Sequence, residues 1–151
     1  MRVERLEHVQ LAMPAGCEEQ AQVFYEGILG IPRVPKPPHL DARGGCWFEA
    51  GDLRIHLGVE ESFRPARKAH PALVVDDLPA LIGLLAEGGF PTREDEPLAG
   101  WSRVYVDDPF GNRLELMEPA AGTRGVRMRT QYASGRGDEG STRGTSTGSS
   151  R

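Results

Sequence analysis

The sequence predicts an α+β fold made of two βαβββ units, and three observations carry that prediction. First, segments recur in order. Leu6-Glu7-His8-Val9-Gln10-Leu11 and Arg54-Ile55-His56-Leu57-Gly58 open and close one half, while Lys68-Ala69-His70-Pro71-Ala72-Leu73 and Arg113-Leu114-Glu115-Leu116-Met117 open and close the other. His8 and His70 lie 62 residues apart, and His56 and Glu115 lie 59 apart. Second, Tyr25-Glu26-Gly27-Ile28-Leu29-Gly30-Ile31-Pro32 resembles Leu84-Leu85-Ala86-Glu87-Gly88-Gly89-Phe90-Pro91, also at an offset of 59. The three extra residues of the first half then fall in a loop, where Pro14-Ala15-Gly16 is looser than Asp76-Asp77-Leu78-Pro79. Third, the apolar pattern switches between the period of a strand and that of a helix in the same order in both halves, as a duplicated supersecondary motif requires.

Each element follows from its local pattern. Leu6 to Met13 alternates, with Val9 and Leu11 opposing His8, Gln10 and Ala12, which reads as a strand with one buried face. Glu18 to Leu29 sets Ala21, Phe24, Tyr25, Ile28 and Leu29 at helical spacing, and Gly30 suits its end. Val34 to Gly44 is long and Pro-rich and reads as an irregular loop of the kind that covers sites. A short strand at Gly45 to Ala50, the turn Gly51-Asp52 and a strand at Leu53 to Val59 complete the unit, with Ile55, Leu57 and Val59 opposing Arg54, His56 and Gly58. In the second unit Leu73 and Val75 oppose His70, Ala72 and Val74. A helix spans Asp77 to Gly88, with an acidic cap, Pro79 in its first turn and Gly88-Gly89 at its end. A strand at Arg103 to Val106, the turn Asp108-Pro109-Phe110-Gly111-Asn112 and a closing strand follow, with Leu114 and Leu116 opposing Arg113, Glu115 and Met117.

Composition restricts the function. The chain has 151 residues, 38 % of them hydrophobic, enough for one domain with a core. Up to Pro119 it carries twelve Lys and Arg against twenty Asp and Glu, with six against two beyond. An acidic body disfavours nucleic acid as a partner. No apolar run approaches the roughly 20 residues that span a bilayer, and Met1-Arg2-Val3-Glu4-Arg5 has no apolar signal segment, so no membrane role and a cytoplasmic location are expected. Cys17 and Cys46 are the two cysteines and read as free thiols. From Ala120 onward Gly, Ser, Thr and Arg dominate, a composition too poor in apolar side chains to offset the entropy of ordering. Residues 120–151 are therefore expected to be a disordered tail. Its Arg124, Arg127, Arg129, Arg136 and Arg143 read as a solvated linker.

The alternation places His8, His56, His70 and Glu115 on the faces opposite the apolar ones, where they read as one metal site. Imidazole mixed with carboxylate suits borderline divalent ions. Gln10 and Arg54 share those faces and are candidates for orienting an oxygen-rich or anionic ligand. Trp47, Phe48, Trp101 and Tyr105 are candidates for an aromatic wall, with core packing expected for at least two of them. Arg64, Arg67 and Lys68 lie in the connection between the units.

The duplication, the early His8, Phe24-Tyr25 and Leu29-Gly30 in the first helix, His70-Pro71-Ala72 and the closing Asp108-Pro109-Phe110-Gly111-Asn112-Arg113-Leu114-Glu115 together resemble the vicinal oxygen chelate superfamily. That superfamily includes glyoxalase I, fosfomycin-resistance and bleomycin-binding proteins, methylmalonyl-CoA epimerase and extradiol dioxygenases. The likeness covers residues 4–119, with units at about 4–60 and 68–119. It implies a curved, barrel-like mixed sheet with helices on its outer face, and a divalent metal (Zn, Ni, Co, Mn or Fe) held by His8, His70 and Glu115. His56 departs from the pattern, since glyoxalase I members have Glu there and epimerases Gln. Glu115 is then the only carboxylate left to shuttle a proton, which makes it the catalytic candidate. The resemblance implies a metal-dependent lyase or isomerase of glyoxalase type that chelates a small substrate through neighbouring oxygens, with Gln10, Arg54, Trp47 and Tyr105 as substrate contacts. A metal-free drug- or metabolite-binding protein and a small dioxygenase-like iron enzyme are the alternatives. It also implies a homodimer whose cleft is completed across chains, His8 and His56 of one copy meeting His70 and Glu115 of the other.

Overall fold

Residues 1–120 are described by a computed structural model. The expectation for the tail falls on residues outside them. Strand β1 (Val9–Met13) is followed by α1 (Glu18–Gln22), which runs on as a π-helical stretch (Val23–Ile28), and then by β2 (Arg33–Val34), α2 (Pro38–Asp41), β3 (Cys46–Ala50) and β4 (Leu53–Val59). The second half contains β5 (Ala72–Val74), α3 (Leu78–Glu87), β6 (Trp101–Asp107) and β7 (Arg113–Pro119). In place of a strand matching β2, residue Arg93 makes a single antiparallel bridge to Tyr105. Both halves thus keep the expected order of strand, helix, weak strand, strand, strand.

Two open mixed sheets result, ordered β1-β4-β3-β2 and β5-β7-β6. In each, the opening strand lies parallel to the closing one: Val9 pairs with Ile55 through Met13 with Val59, and Ala72 with Glu115 through Val74 with Met117. β3–β4 and β6–β7 are antiparallel. The first strand begins at Val9, three residues later than the alternation predicts, because its ladder to β4 starts there; residues 1–8 are exposed. The predicted Val34 to Gly44 loop contains the short α2, entered through Pro38 at its first position, where a missing N–H costs nothing.

One core joins the halves. Leu11, Met13, Phe48, Ile55 and Leu57 from the first sheet cluster with Val104, Val106, Leu114 and Leu116 from the second. Phe24, Tyr25, Ala21, Leu78 and Leu85 of the helices complete the cluster. Burying each such Leu, Ile or Phe side chain contributes about 1.5–3 kcal/mol. In the π-helical stretch the Leu29 N–H donates to the Phe24 carbonyl at 3.0 Å. Adjacent Phe24 and Tyr25 are both fully buried there. Phe24 meets Phe90 edge-on at 4.7 Å, and Tyr25 stacks on Phe48 at 5.1 Å. The first turn of α3 is capped as expected: Asp77 Oδ1 accepts from the Ala80 N–H at 3.0 Å.

The Asp108–Asn112 turn ties the halves together as well as closing a hairpin. Asp108 is buried and accepts from Tyr25 Oη, from Asn112 Nδ2 and from the backbone N–H groups of Phe110 and Asn112, all at 2.8–2.9 Å. Asn112, fully buried, also donates to the Ala12 carbonyl and accepts from the Ala66 N–H, both at 2.9 Å. Four acceptor contacts satisfy a carboxylate that burial would otherwise make costly. Among the described residues no helix is long and apolar enough to cross a membrane.

Candidate metal centre

Strand alternation turns His56 of β4 and Glu115 of β7 away from the core, while His8 and His70 stand just ahead of β1 and β5. On the second sheet, Tyr105 stands directly across from Glu115, which also pairs with Ala72; Arg103 lies across from Met117 and Asp107 across from Arg113. His70 stands two residues before the first residue of β5, and its Nε2 lies 3.4 Å from Glu115 Oε2. Its Nδ1 lies 2.9 Å from the Lys68 carbonyl. A carbonyl only accepts, so Nδ1 carries the hydrogen, and in the neutral ring Nε2 keeps a lone pair beside a carboxylate oxygen. Two acceptors facing each other attract only through a shared proton or a cation. Donors bound to a tetrahedral ion at about 2.0–2.1 Å stand roughly 3.3–3.4 Å apart, which is the spacing found. A backbone carbonyl on the far ring nitrogen is also the usual way to fix a metal-binding tautomer. The donor chemistry of His70 and Glu115 therefore fits a divalent ion.

Glu115 has a second partner. Its Oε1 accepts from Arg103 Nη1 at 2.7 Å, and Arg103 Nη2 reaches the Glu96 carbonyl at 2.6 Å and Asp95 at 3.2 Å. Its bond to Glu115, ahead of the other contacts, holds the guanidinium proton more tightly than usual. The ring of Tyr105 packs edge-on to His70 at 5.2 Å and takes a hydrogen bond from Arg103 on its hydroxyl.

The first sheet presents a different arrangement. His56 is buried and sandwiched between Trp47, 4.1 Å away at 7°, and His8, 4.5 Å away at 22°. Glu49 Oε1 lies 2.9 Å from His56 Nε2, and Glu7 Oε2 lies 2.6 Å from His8 Nδ1. Each carboxylate accepts, so the free lone pairs are Nδ1 of His56 and Nε2 of His8. An imidazole binds an ion in its own plane. Planes stacked with so small a tilt meet only roughly 10 Å away, several times a metal–nitrogen bond of about 2 Å. As stacked, His8 and His56 do not ligate one ion together, and His8 is the more accessible of the two. Arg54 is committed to ion pairs with Glu7 and Glu49. Gln10 lies over Gly58, where a β-carbon would come within 2.8 Å of its Nε2. Gln10 and His70 line a shared cavity of 490 Å³ with Glu60, Arg64 and Pro71.

The other candidates separate cleanly. Trp47 and Tyr105 lie on the open faces, Phe48 is in the core, and Trp101 lines a groove beside Ile82 and Pro97. Among the described residues no three His, Cys, Asp or Glu side chains gather into an ion-holding group; the ligand candidates form two pairs, one on each sheet. Glu7, Glu49 and Arg103 hold these side chains and were not among the site residues expected from the sequence. The first two were within reach of it: Glu7 adjoins His8, and a two-residue Gly51-Asp52 turn sets Glu49 opposite Arg54 and Trp47 opposite His56.

Comparison with known proteins agrees with this architecture. A glyoxalase family protein from Bacillus anthracis is 44 % identical, with a TM-score of 0.74 over 79 % of this chain and 98 % of its own. The fosfomycin resistance protein FosX from Listeria monocytogenes shares the fold at 14 % identity, with a TM-score of 0.64 over 82 % of this chain and 99 % of its own. TnmS3, an antibiotic-binding protein from Streptomyces sp. CB03234, does so at 21 % identity, with a TM-score of 0.59 over 80 % and 99 %. No curated protein matches. Residues 5–116 match the sequence profile of the Glyoxalase/Bleomycin resistance protein/Dioxygenase superfamily, and with that span covering most of both βαβββ units, the chain belongs to this superfamily.

Proposed function

We propose that this chain is a glyoxalase-like, metal-dependent enzyme of lyase or isomerase type that acts on a small oxygen-rich molecule. The observation that carries the reading is the His70–Glu115 pair, with its ring proton turned to Lys68 and two acceptor atoms 3.4 Å apart. We assign His70 and Glu115 of one copy and His8 of a second as the ligands, in a cytoplasmic homodimer. His56 serves as the ring on which His8 rests. A divalent ion bound there supplies Lewis-acid polarisation of two neighbouring substrate oxygens.

The remaining work falls to the chain itself. Arg103 fixes Glu115 Oε1, and Oε2, the oxygen that faces His70, is the one that would meet the ion and, when released from it, hold and move a proton. Gln10, placed over Gly58 beside the shared cavity, offers an amide to orient the substrate. Trp47 and Tyr105 wall the open faces and limit water. Glu7 and Glu49 keep the two first-sheet imidazoles in single tautomers.

The test is metal content. Protein stripped with a chelator and titrated with zinc, nickel, cobalt, manganese or ferrous ion is expected to bind one of them tightly, and His8→Ala, His70→Ala and Glu115→Ala each to lower occupancy sharply. Unchanged occupancy in all three refutes the assignment. His56→Ala is expected to weaken binding less, while an equal loss points to a four-ligand cage. Oxygen-sensitive ferrous iron marks a dioxygenase-like enzyme instead.

A metal-free binding module is the second reading. It draws on the 2.7 Å Arg103–Glu115 pair, which already compensates the carboxylate without an ion, and on the fold shared with an antibiotic-binding protein. No affinity for any added metal favours it.

A further inference from the structure

The open face of the second sheet carries more cationic side chains than it uses. Arg103 is spent on Glu115, Asp95 and the Glu96 carbonyl. Arg93 donates to both oxygens of Asp107, at 3.1 and 2.7 Å, which occupies the acidic residue directly across from Arg113. Arg113 itself, two residues before Glu115 and on the same face of β7, has no hydrogen-bond acceptor or ion-pair partner for its guanidinium among the described residues. Its Nε is buried and unsatisfied. The group is nonetheless held in place, its central carbon 4.9 Å from the centre of the Tyr105 ring. The same ring packs against His70 at 5.2 Å, so the guanidinium stands within about 10 Å of the imidazole.

The buried Nε is beyond a ligand's reach, as it is in Arg54 and Arg103, but the outer nitrogens of Arg113 have no acceptor among the described residues, and a cation so placed favours an incoming anion. Its planar fork matches an oxyanion, and stacking on an aromatic ring leaves the donor edge free for one. We propose that Arg113 anchors an anionic group of the ligand, so that the site takes a small acid, carboxylate or phosphoryl, whose charged end lies on Arg113 and whose remainder extends toward His70 and Glu115. Tyr105 is the positioning residue over whose ring the guanidinium rests. The inference rests on the open face of the second sheet being the ligand site, but not on a metal being there.

The experiment is calorimetric titration of metal-free protein with malonate and, separately, with methylphosphonate. The wild type is expected to bind at least one of the two saturably. Arg113→Met, which keeps an apolar stem on Tyr105 and loses the charge, is expected to lower affinity at least tenfold; Arg113→Lys is expected to fall between. Tighter binding of malonate identifies a carboxylate ligand, and tighter binding of methylphosphonate a phosphoryl one. Uptake of neither probe by the wild type, or equal uptake by Arg113→Met, overturns the proposal. Anion binding that survives while metal titrations stay flat leaves this inference standing and removes the metal; metal binding without anion binding does the reverse.

Discussion

Cys46 and Tyr25 are residues whose protons burial holds in place. Burial pushes the Cys46 thiol from its ordinary 9.0 up to about 11, and burial first, then the Asp108 charge, pushes Tyr25 well above 10.0. In both, the unfolded chain ionises before the folded one does. The contribution of Cys46 is therefore complete below pH 9 and is lost as pH climbs toward about 11, while that of Tyr25 is complete below pH 10 and is lost at higher pH. Melting temperatures recorded from pH 8 upward are expected to fall over that window, and to fall less steeply in Cys46→Ala; a parallel fall in the variant contradicts the assignment. The same burial predicts that a thiol reagent at pH 8 labels the half-exposed Cys17 in native protein and spares Cys46 until denaturant is added. Residue by residue, the sequence disclosed facing better than partnership. Period-two alternation was enough to turn Glu115 and His56 away from the core. Pairing Glu115 with Arg103 also needed the β6–β7 register, which a five-residue turn does not fix.

At the scale of elements, the strand pairs depend on a few backbone positions. Gly45 enters β3 with φ of +80°, and a β-carbon there would lie 2.2 Å from the Leu57 carbonyl oxygen of the neighbouring strand. Gly16, in the loop after β1, has φ of +72° and open space around it. Gly16→Ala is expected to cost about 1 kcal/mol from backbone conformation alone. Gly45→Ala adds a clash with a strand and is expected to cost several times more; equal costs by urea unfolding contradict the contact. Losing the Asp77 cap in Asp77→Ala is expected to remove about 1 kcal/mol. The helices were legible because caps and glycine stops marked them: the first was expected to end at Leu29 and ends at Ile28, and the second was expected from Asp77 and begins at Leu78. The π-helical widening and α2 were not. Both depend on tertiary packing around Tyr25 and on a Pro-rich stretch whose local signals favour irregular backbone.

For the whole molecule, the two pairs of candidate ligands on separate sheets make the assembly testable. With His8 of one copy serving His70 and Glu115 of another, mixing His8→Ala with Glu115→Ala protein and re-forming dimers is expected to restore one intact site per mixed dimer. Mixed dimers that form but recover no metal binding show that each chain builds its own site. The clamp from Asp108 and Asn112 bears on the order in which the molecule comes into being. Asn112 is bonded to Ala12 across 100 positions, and Asp108 to Tyr25 across 83. At a synthesis rate of about 5–20 residues per second, the amino-terminal half emerges several seconds before the turn that fastens it. During that interval Tyr25 lacks its acceptor and β1 its closing contact. The nascent chain thus passes through a half-built stage in which the apolar face of the first sheet, later shared in one core with Val104, Val106, Leu114 and Leu116, stands uncovered, the stage at which a second nascent copy, or a chaperone, has its opening.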